Sequence, residues 1–465
     1  MRKTSSVRKI RRPRRVVRNC DSKSYLLFVS LLVASCVLVY APAGRADGAG
    51  KPKGDQAQAP RLTADLMGSI PTREGQRIHV AIDLGNVIVR TEDSGKIDYT
   101  VHLEADASQK DAKRLLKTFV VTAHASPDGV FFGGQTSERK ASGRLWVTLQ
   151  VNVPRNYNVD ISTGGGNIEV NDVNGRVTLN TAGGNIVAGN STGSARLTTE
   201  GGHITIKNVG GDLLATTGGG HITTGDITGI ATLHTEGGHI QVSSIGGAGH
   251  LTTGGGNVFV EHSGTGLVAE TVGGQIEVGE AAGLVHARTG GGGIHVVRVT
   301  GPTNLQTSGG NIYLTQVDGT VKASTGNGGI TAWFVTPVKL PSTCELQSGD
   351  GDIIVYIPRQ LPVTIDAMMP SDHDHQFFVD PALRLLVTRN TMPNDSATLH
   401  AIGSQNGGGE VVHLRTISGN IRLMASDATK QIQIYKTQMQ QLEDSLQNQW
   451  REITRLQLQS AKTAP

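Results

Sequence analysis

The chain has few of the residues that hold compact enzymes together. It contains three cysteines in 465 residues. Cys20 and Cys36 fall in the first 43 positions, which leaves only Cys344 further on. A single cysteine allows neither an internal disulfide nor a cysteine-based zinc site there. Aromatic residues make up 4%, too few for one thick core, whereas glycines number 61. That balance suits a thin, repetitive core. No Gly-Lys-Ser/Thr phosphate loop occurs, so the glycines read as turn residues.

A basic face is also lacking. The formal charge is +4, but residues 1–43 hold ten Lys and Arg against one acid, Asp21. The rest carries 33 basic and 38 acidic residues. The high pI therefore belongs to the leader and gives no ground for nucleic-acid binding.

That leader has the order of an export signal: a basic stretch from Arg2 to Arg18, an apolar run from Tyr25 to Ala41, then Ala41-Pro42-Ala43 and Gly44-Arg45-Ala46. Residues 1–46 are expected to be a cleaved signal peptide or an uncleaved membrane anchor with its basic flank inside. A lipoprotein signal at Cys36 fits less well, because Val37-Leu38-Val39 keeps the run apolar beyond it. Residues 47–60 read as a polar, flexible linker.

What the sequence has in abundance is a repeat. A Gly-Gly-X-(Ile/Val) element places an aliphatic residue at Ile168, Ile186, Ile204, Ile222, Ile240, Val258, Ile276, Ile294, Ile312 and Ile330, each 18 residues after the last. A threonine precedes each by five positions, from Thr163, Thr181, Thr199 and Thr217 to Thr325. Period-two alternation, as at Val177, Leu179 and Thr181, marks strands, and glycines such as Gly184, Gly202 and Gly220 mark corners. Copies this short must stack to bury anything. The expected fold is all-β: a parallel β-solenoid with 18-residue, two-strand coils over residues 146–425. Residues 61–145 form an N-terminal β-rich cap with a helix at 108–119. Residues 366–410 make an excursion from the solenoid. Residues 426–465 form a C-terminal amphipathic or coiled-coil α-helix, with Ile432, Tyr435, Met439, Leu442, Leu446, Gln449, Ile453 and Leu456 at heptad a and d positions. Such a helix either joins copies into a homo-oligomer or packs on the solenoid's end as a second cap.

The Gly-Gly-Asn-Ile-x-Val repeats, the entering Val151-Asn152-Val153-Pro154 strand and the early Gly85-Asn86-Val87-Ile88-Val89 resemble a bacterial β-strand-repeat family of unknown function that carries an adhesin label. The resemblance covers roughly residues 75–425. It implies a β-solenoid in the cell envelope and carries over no catalytic residues.

Chemistry has few candidates. His203, His221 and His239 fall in three consecutive coils, where stacked imidazoles either share a metal or form a solvent-facing polar ladder. Asp372-His373-Asp374-His375, with Asp366 and Asp380 nearby, could hold a divalent ion or simply be solvated. The polar turn position runs Asp172, Asn190, Asn208, Asp226, Ser244, His262, Glu280, Arg298, Gln316. It lacks the fixed aspartate of calcium-binding β-rolls. Acids in the coils do not stack as a polysaccharide-cleaving pair would need. The expected function is a non-enzymatic, exported envelope protein without a cofactor. It would present a solenoid for adhesion or scaffolding, with glycans or envelope proteins as partners. The alternatives are a membrane-tethered envelope-sensing module and a polysaccharide-active enzyme.

Overall fold

The computed structural model describes residues 62–106, 112–137, 144–335, 339–371, 375–391 and 397–426, together with Gln433, Thr437 and Gln440. Its body is two facing sheets of short strands. In each coil a strand such as Val177–Thr181 points Val177, Leu179 and Thr181 inward and leaves Thr178 and Asn180 outside. After a glycine corner, a second strand such as Ile186–Ala188 buries its first and last residues. We refer to these as the threonine sheet and the isoleucine sheet.

Strands pair in parallel with their counterparts in the next coil: Thr181 with Thr199, Ile186 with Ile204, and so on to Ile312 with Ile330. The constant 18-residue register follows from the constant sequence spacing, since a slip of one residue would turn every aliphatic side chain outward. The repeated isoleucines are fully buried. They face a threonine-sheet ladder in which Leu179, Leu197 and Leu233 alternate irregularly with Ala215, Ala269 and Ala287. Mixed sizes let a narrow core close-pack without overfilling. Cys344 is a buried, free thiol in this core.

The polar member of the core is the threonine ladder, which is buried from Thr163 to Thr325. Each hydroxyl donates to a glycine carbonyl of the preceding coil: Thr181 to Gly166, Thr199 to Gly184 and Thr217 to Gly202, all at 2.8 Å. From Thr181 onward each also accepts from the glycine three residues on, as Thr199 does from Gly202 N–H at 3.2 Å and Thr217 from Gly220 N–H at 3.2 Å. A continuous hydroxyl–peptide relay therefore runs the length of the rod and satisfies corner groups that would otherwise be buried without partners.

Both ends break sequence order. The first coil in sequence, Arg77–Ile82 and Asn86–Glu92, is not the first in space. It is inserted between Asn158–Thr163 with Ile168–Val170 on one side and Gly129–Thr136 with Leu145–Pro154 on the other. The last coil, Val411–Ser418 and Ile421–Ser426, is likewise inserted between Cys344–Asp350 with Ile353–Pro358 and the outer strands Val363–Pro370 and Phe377–Val379. Antiparallel strands then finish the sheets. Leu62–Pro71 follows Lys96–Ala105, Phe119–Ser126 follows Gly129–Thr136, and Ala397–Gln405 with Leu386–Thr391 follow Val363–Pro370. Such finishing strands take up edges that would otherwise be open to pairing with another chain.

Residues 77–92 supply a buried coil within the span read as the cap, as the early Leu84-Gly85-Asn86-Val87-Ile88-Val89 motif, which reads as a degenerate first coil, leads one to expect. These ends differ from the sequence reading in two places. The expected helix is Ala112–Thr118; Phe119 instead opens a strand, as a bulky residue can when it alternates into a sheet. Within 366–410, the strands Val363–Pro370 and Ala397–Gln405 continue the threonine sheet rather than leave it. Non-local pairing decided both, and no local spacing encodes it. Of the expected C-terminal helix only Gln433, Thr437 and Gln440 are described, and all three are helical. Its remainder, residues 1–61 and Asp372-His373-Asp374 lie outside the described residues.

Candidate functional surface

Four surface features carry chemistry. The first is the histidine ladder at the corner before the isoleucine sheet. His203, His221 and His239 stack with ring centroids 4.9 and 4.8 Å apart and planes within 13° and 10°. Each Nδ1 accepts a backbone N–H from the next coil: His221 N at 2.9 Å, His239 N at 2.9 Å and Asn257 N at 2.8 Å. Asparagine Oδ1 does the same work elsewhere, as from Asn167 to Asn185 N and from Asn185 to His203 N, both 2.8 Å. The Nδ1 lone pair is thus used, which puts the proton of the neutral ring on Nε2. A ring in that state offers a metal no free nitrogen lone pair. Among the described residues no group of His, Cys, Asp and Glu is arranged to hold a metal ion.

Burial holds all three pKa values below the ordinary histidine value. His221, with a neighbour on each side, is lowered to about 4. The unfolded chain therefore binds these protons first as pH falls from about 6.5 toward 4. The ladder's contribution is complete above 6.5 and is lost over that window. Replacing His203, His221 and His239 together by Asn keeps an acceptor in each coil. Thermal melts from pH 7 to pH 4 are expected to show a shallower loss of stability in this variant than in the parent.

The second feature is a His–Asp–His cluster at the far end of the threonine sheet. Asp366 accepts from His400 Nε2 at 2.7 Å and His413 Nδ1 at 2.8 Å. Burial alone would raise the Asp366 pKa, but the two imidazole donors outweigh it and the net shift is downward. The three residues come from three neighbouring strands, so their separation in sequence gave no signal. Of the Asp372–His375 run, only His375 is described; its Nε2 lies 3.2 Å from Ser418 Oγ.

The third feature is a pair of open grooves along the N-terminal part of the threonine sheet. One, of about 480 Å³, is lined by Arg176, Thr178, Arg196, Asp212 and Thr232. The other, of about 610 Å³, is lined by Arg77, Asp160, Arg176, Thr178 and Ser194. A smaller one of about 370 Å³ sets Glu169 and Asp172 beside Arg155 and Lys207. There Asp172 Oδ1 accepts Asn190 N–H at 2.7 Å, which lowers the pKa of that carboxyl. This polar turn position therefore serves as another coil-to-coil relay; Asn208 Oδ1 likewise accepts Asp226 N–H at 2.9 Å. The fourth feature is an aromatic pair on the isoleucine sheet: Trp333 and Tyr356 stack at 4.9 Å with planes 5° apart.

A rod of two parallel sheets, finished by antiparallel strands and presenting polar rows, defines the class: a β-strand-repeat protein. The toastrack family, DUF4097, matches residues 76–424, and the chain belongs to it. No curated protein matches. Solved structures similar to the chain include a "putative cell adhesion protein" from Clostridium sporogenes ATCC 15579. It has 8% identity, covers 78% of this chain and 100% of its own, and gives a TM-score of 0.16. A "putative adhesin" from Parabacteroides distasonis ATCC 8503 has 13% identity, coverage of 63% and 97%, and a TM-score of 0.19. A "putative adhesin" from Bacteroides fragilis NCTC 9343 has 9% identity, coverage of 78% and 97%, and a TM-score of 0.17. Superposition at this level assigns neither function nor residue roles.

Proposed function

We propose that this toastrack protein is a non-enzymatic, exported envelope protein whose solenoid serves as a rigid surface for adhesion or scaffolding. The observation that carries the reading is the outer face of the threonine sheet. Its residues are in fixed parallel register, so Thr178, Arg196, Leu214 and Thr232 form one column and Asn180, Thr198, Thr216 and His234 the next. Hydroxyl, amide and guanidinium groups repeat there at about 4.8 Å per coil. Such a row suits many weak contacts with a repetitive partner, a glycan chain or an envelope protein, whose affinity adds along its length. The grooves on this face are open and mix cations with single carboxylates. That arrangement suits surface contact better than enclosed acid–base chemistry.

A second reading, a membrane-tethered sensing module, draws on the basic-then-apolar order of the leader. The test of both is location and mature N-terminus, from fractionated cells, protease treatment of intact cells and N-terminal sequencing. Adhesion predicts a chain beginning near Gly44 or Asp47 that is cleaved on intact cells. A chain that keeps Tyr25–Ala41, stays with the inner membrane and is protected would support the tethered reading and sink adhesion. Turnover of a polysaccharide by the purified chain would overturn both.

A further inference from the structure

The outer face of the isoleucine sheet carries a buried stripe that the strands themselves do not cover. Thr223, Gln241 and Phe259 are register neighbours and point outward, each lying between inward residues of its strand. They should be as open as the rest of their column, where Glu169 is exposed and Tyr313 is 43% exposed. Instead Thr223 is 1%, Gln241 3% and Phe259 5% exposed. In the following coils the stripe shifts sideways to Val297 and Thr315, the residues after inward Val296 and Leu314, which are 0% and 2% exposed. Beside it Glu277 is half-buried, with its carboxyl pKa raised by desolvation, and His295 is half-buried, with its imidazole pKa lowered for the same reason.

The stripe leads toward the start of the C-terminal tail. Beyond Thr315 the same outward row holds Trp333, Tyr356 and Met424, paired in that order and all half-buried. Met424 lies two residues before Ser426, where the continuous description of the chain stops. From the Met424 strand back to the Thr223 strand is eight coil spacings, or about 38 Å. The heptad stripe from Ile432 to Leu456, if helical, is about 36 Å long. Gln433, Thr437 and Gln440 are helical and exposed; in the heptad that begins at Ile432 they occupy b, f and b, opposite the a and d stripe. Thr437 Oγ1 donates to Gln433 O at 3.0 Å, a contact along one helix face.

We propose that residues 427–465 fold back as an amphipathic helix across the outer face of the isoleucine sheet, with the heptad stripe from Ile432 through Leu442 and Leu446 to Leu456 seated along the Met424-to-Thr223 stripe. The tail then covers one sheet of its own rod and is used up in doing so, rather than pairing with the tail of another copy. The threonine sheet is left as the open face. This deepens the adhesion reading by naming the surface that does the contacting, while the packing itself stands whether or not the rod is an adhesin.

The test is thiol accessibility in the full chain, read at each site by peptide mass spectrometry so that Cys20, Cys36 and Cys344 do not interfere. Thr223→Cys is compared with Thr198→Cys on the exposed face of the threonine sheet. The expected result is a monomer in which the thiol at position 223 is alkylated at least about tenfold more slowly than the one at 198, the protection a locally closed contact gives. Adding Leu442→Asp and Leu446→Asp should bring the two rates together while the β signal in circular dichroism stays. A protease site inserted after Ser426 and cut in the folded protein should do the same without altering the packing face. Equal rates in the parent chain would overturn the proposal. So would protection that survives tail release, and so would protection that appears only as the chain dimerises, which would seat a second copy on the stripe. None of these outcomes depends on location or ligand, so the packing and the adhesion reading fail separately.

Discussion

Gly220→Ala is expected to destabilise the solenoid by about 3 kcal/mol, whereas Gly219→Ala, one residue away, should change stability by less than about 0.5 kcal/mol. A Cβ on Gly220 would overlap the carbonyl of Gly202 in the coil below and come within 2.8 Å of His203 N. These are backbone atoms fixed by the parallel register, so they cannot swing away. A Cβ on Gly219 would meet nothing within 4 Å. Neither glycine adopts a left-handed backbone; among the described coil corners that conformation occurs at Gly85 (φ 118°) and Gly166 (φ 126°). The requirement at Gly220 is closeness of stacking, and the same overlap recurs at Gly184, Gly202, Gly238 and onward. Guanidinium melts of the two variants check the contrast through their midpoints. Equal shifts would mean that the corners are looser than their stacking implies.

Thr235→Val should cost about 2–4 kcal/mol although the side chains are nearly the same shape. Thr235 is fully buried. Its hydroxyl donates to Gly220 O at 2.8 Å and accepts from Gly238 N–H at 3.1 Å. Valine would leave one carbonyl and one amide buried and unmatched, each worth about 1–3 kcal/mol. Thr235→Ser keeps both bonds and loses one methyl, so it should cost no more than about 1 kcal/mol. The chain contains its own precedent: Ser348 stands at the equivalent position and donates to Gly328 O at 2.9 Å. The ordering Val worse than Ser, measured by the same melts, separates a hydrogen-bonding role from a packing role. If the two substitutions cost the same, the relay contributes nothing beyond volume.

The candidate surface was less legible than the fold. Stacking of His203, His221 and His239 could be read directly from their 18-residue spacing. What that spacing could not show was the use of each Nδ1, because the asparagines at the same position reveal their shared role only once the N–H of the next coil is placed. Asp366 was visible beside the Asp372–His375 run. Its actual partners, His400 and His413, are 34 and 47 residues away, and only the return of Ala397–Gln405 and Val411–Ser418 to the same sheet unites them. The buried stripe at Thr223, Gln241 and Phe259 was invisible for a related reason: alternation marks those residues as outward, and only tertiary contact makes them buried.

By itself the sequence determined the coil. An interval of 18, glycines at the tight corners, a threonine five residues before each isoleucine and period-two alternation are local signals, and stacking identical units requires only that the spacing hold. The tertiary structure decided how the rod ends and which of its faces stay open. The inserted first and last coils, the Asp366 cluster and the covered stripe all depend on contacts between residues far apart in the chain. Such contacts form because exposed strand edges and apolar rows must be closed by whatever segment can reach them, and no periodicity records which segment that is.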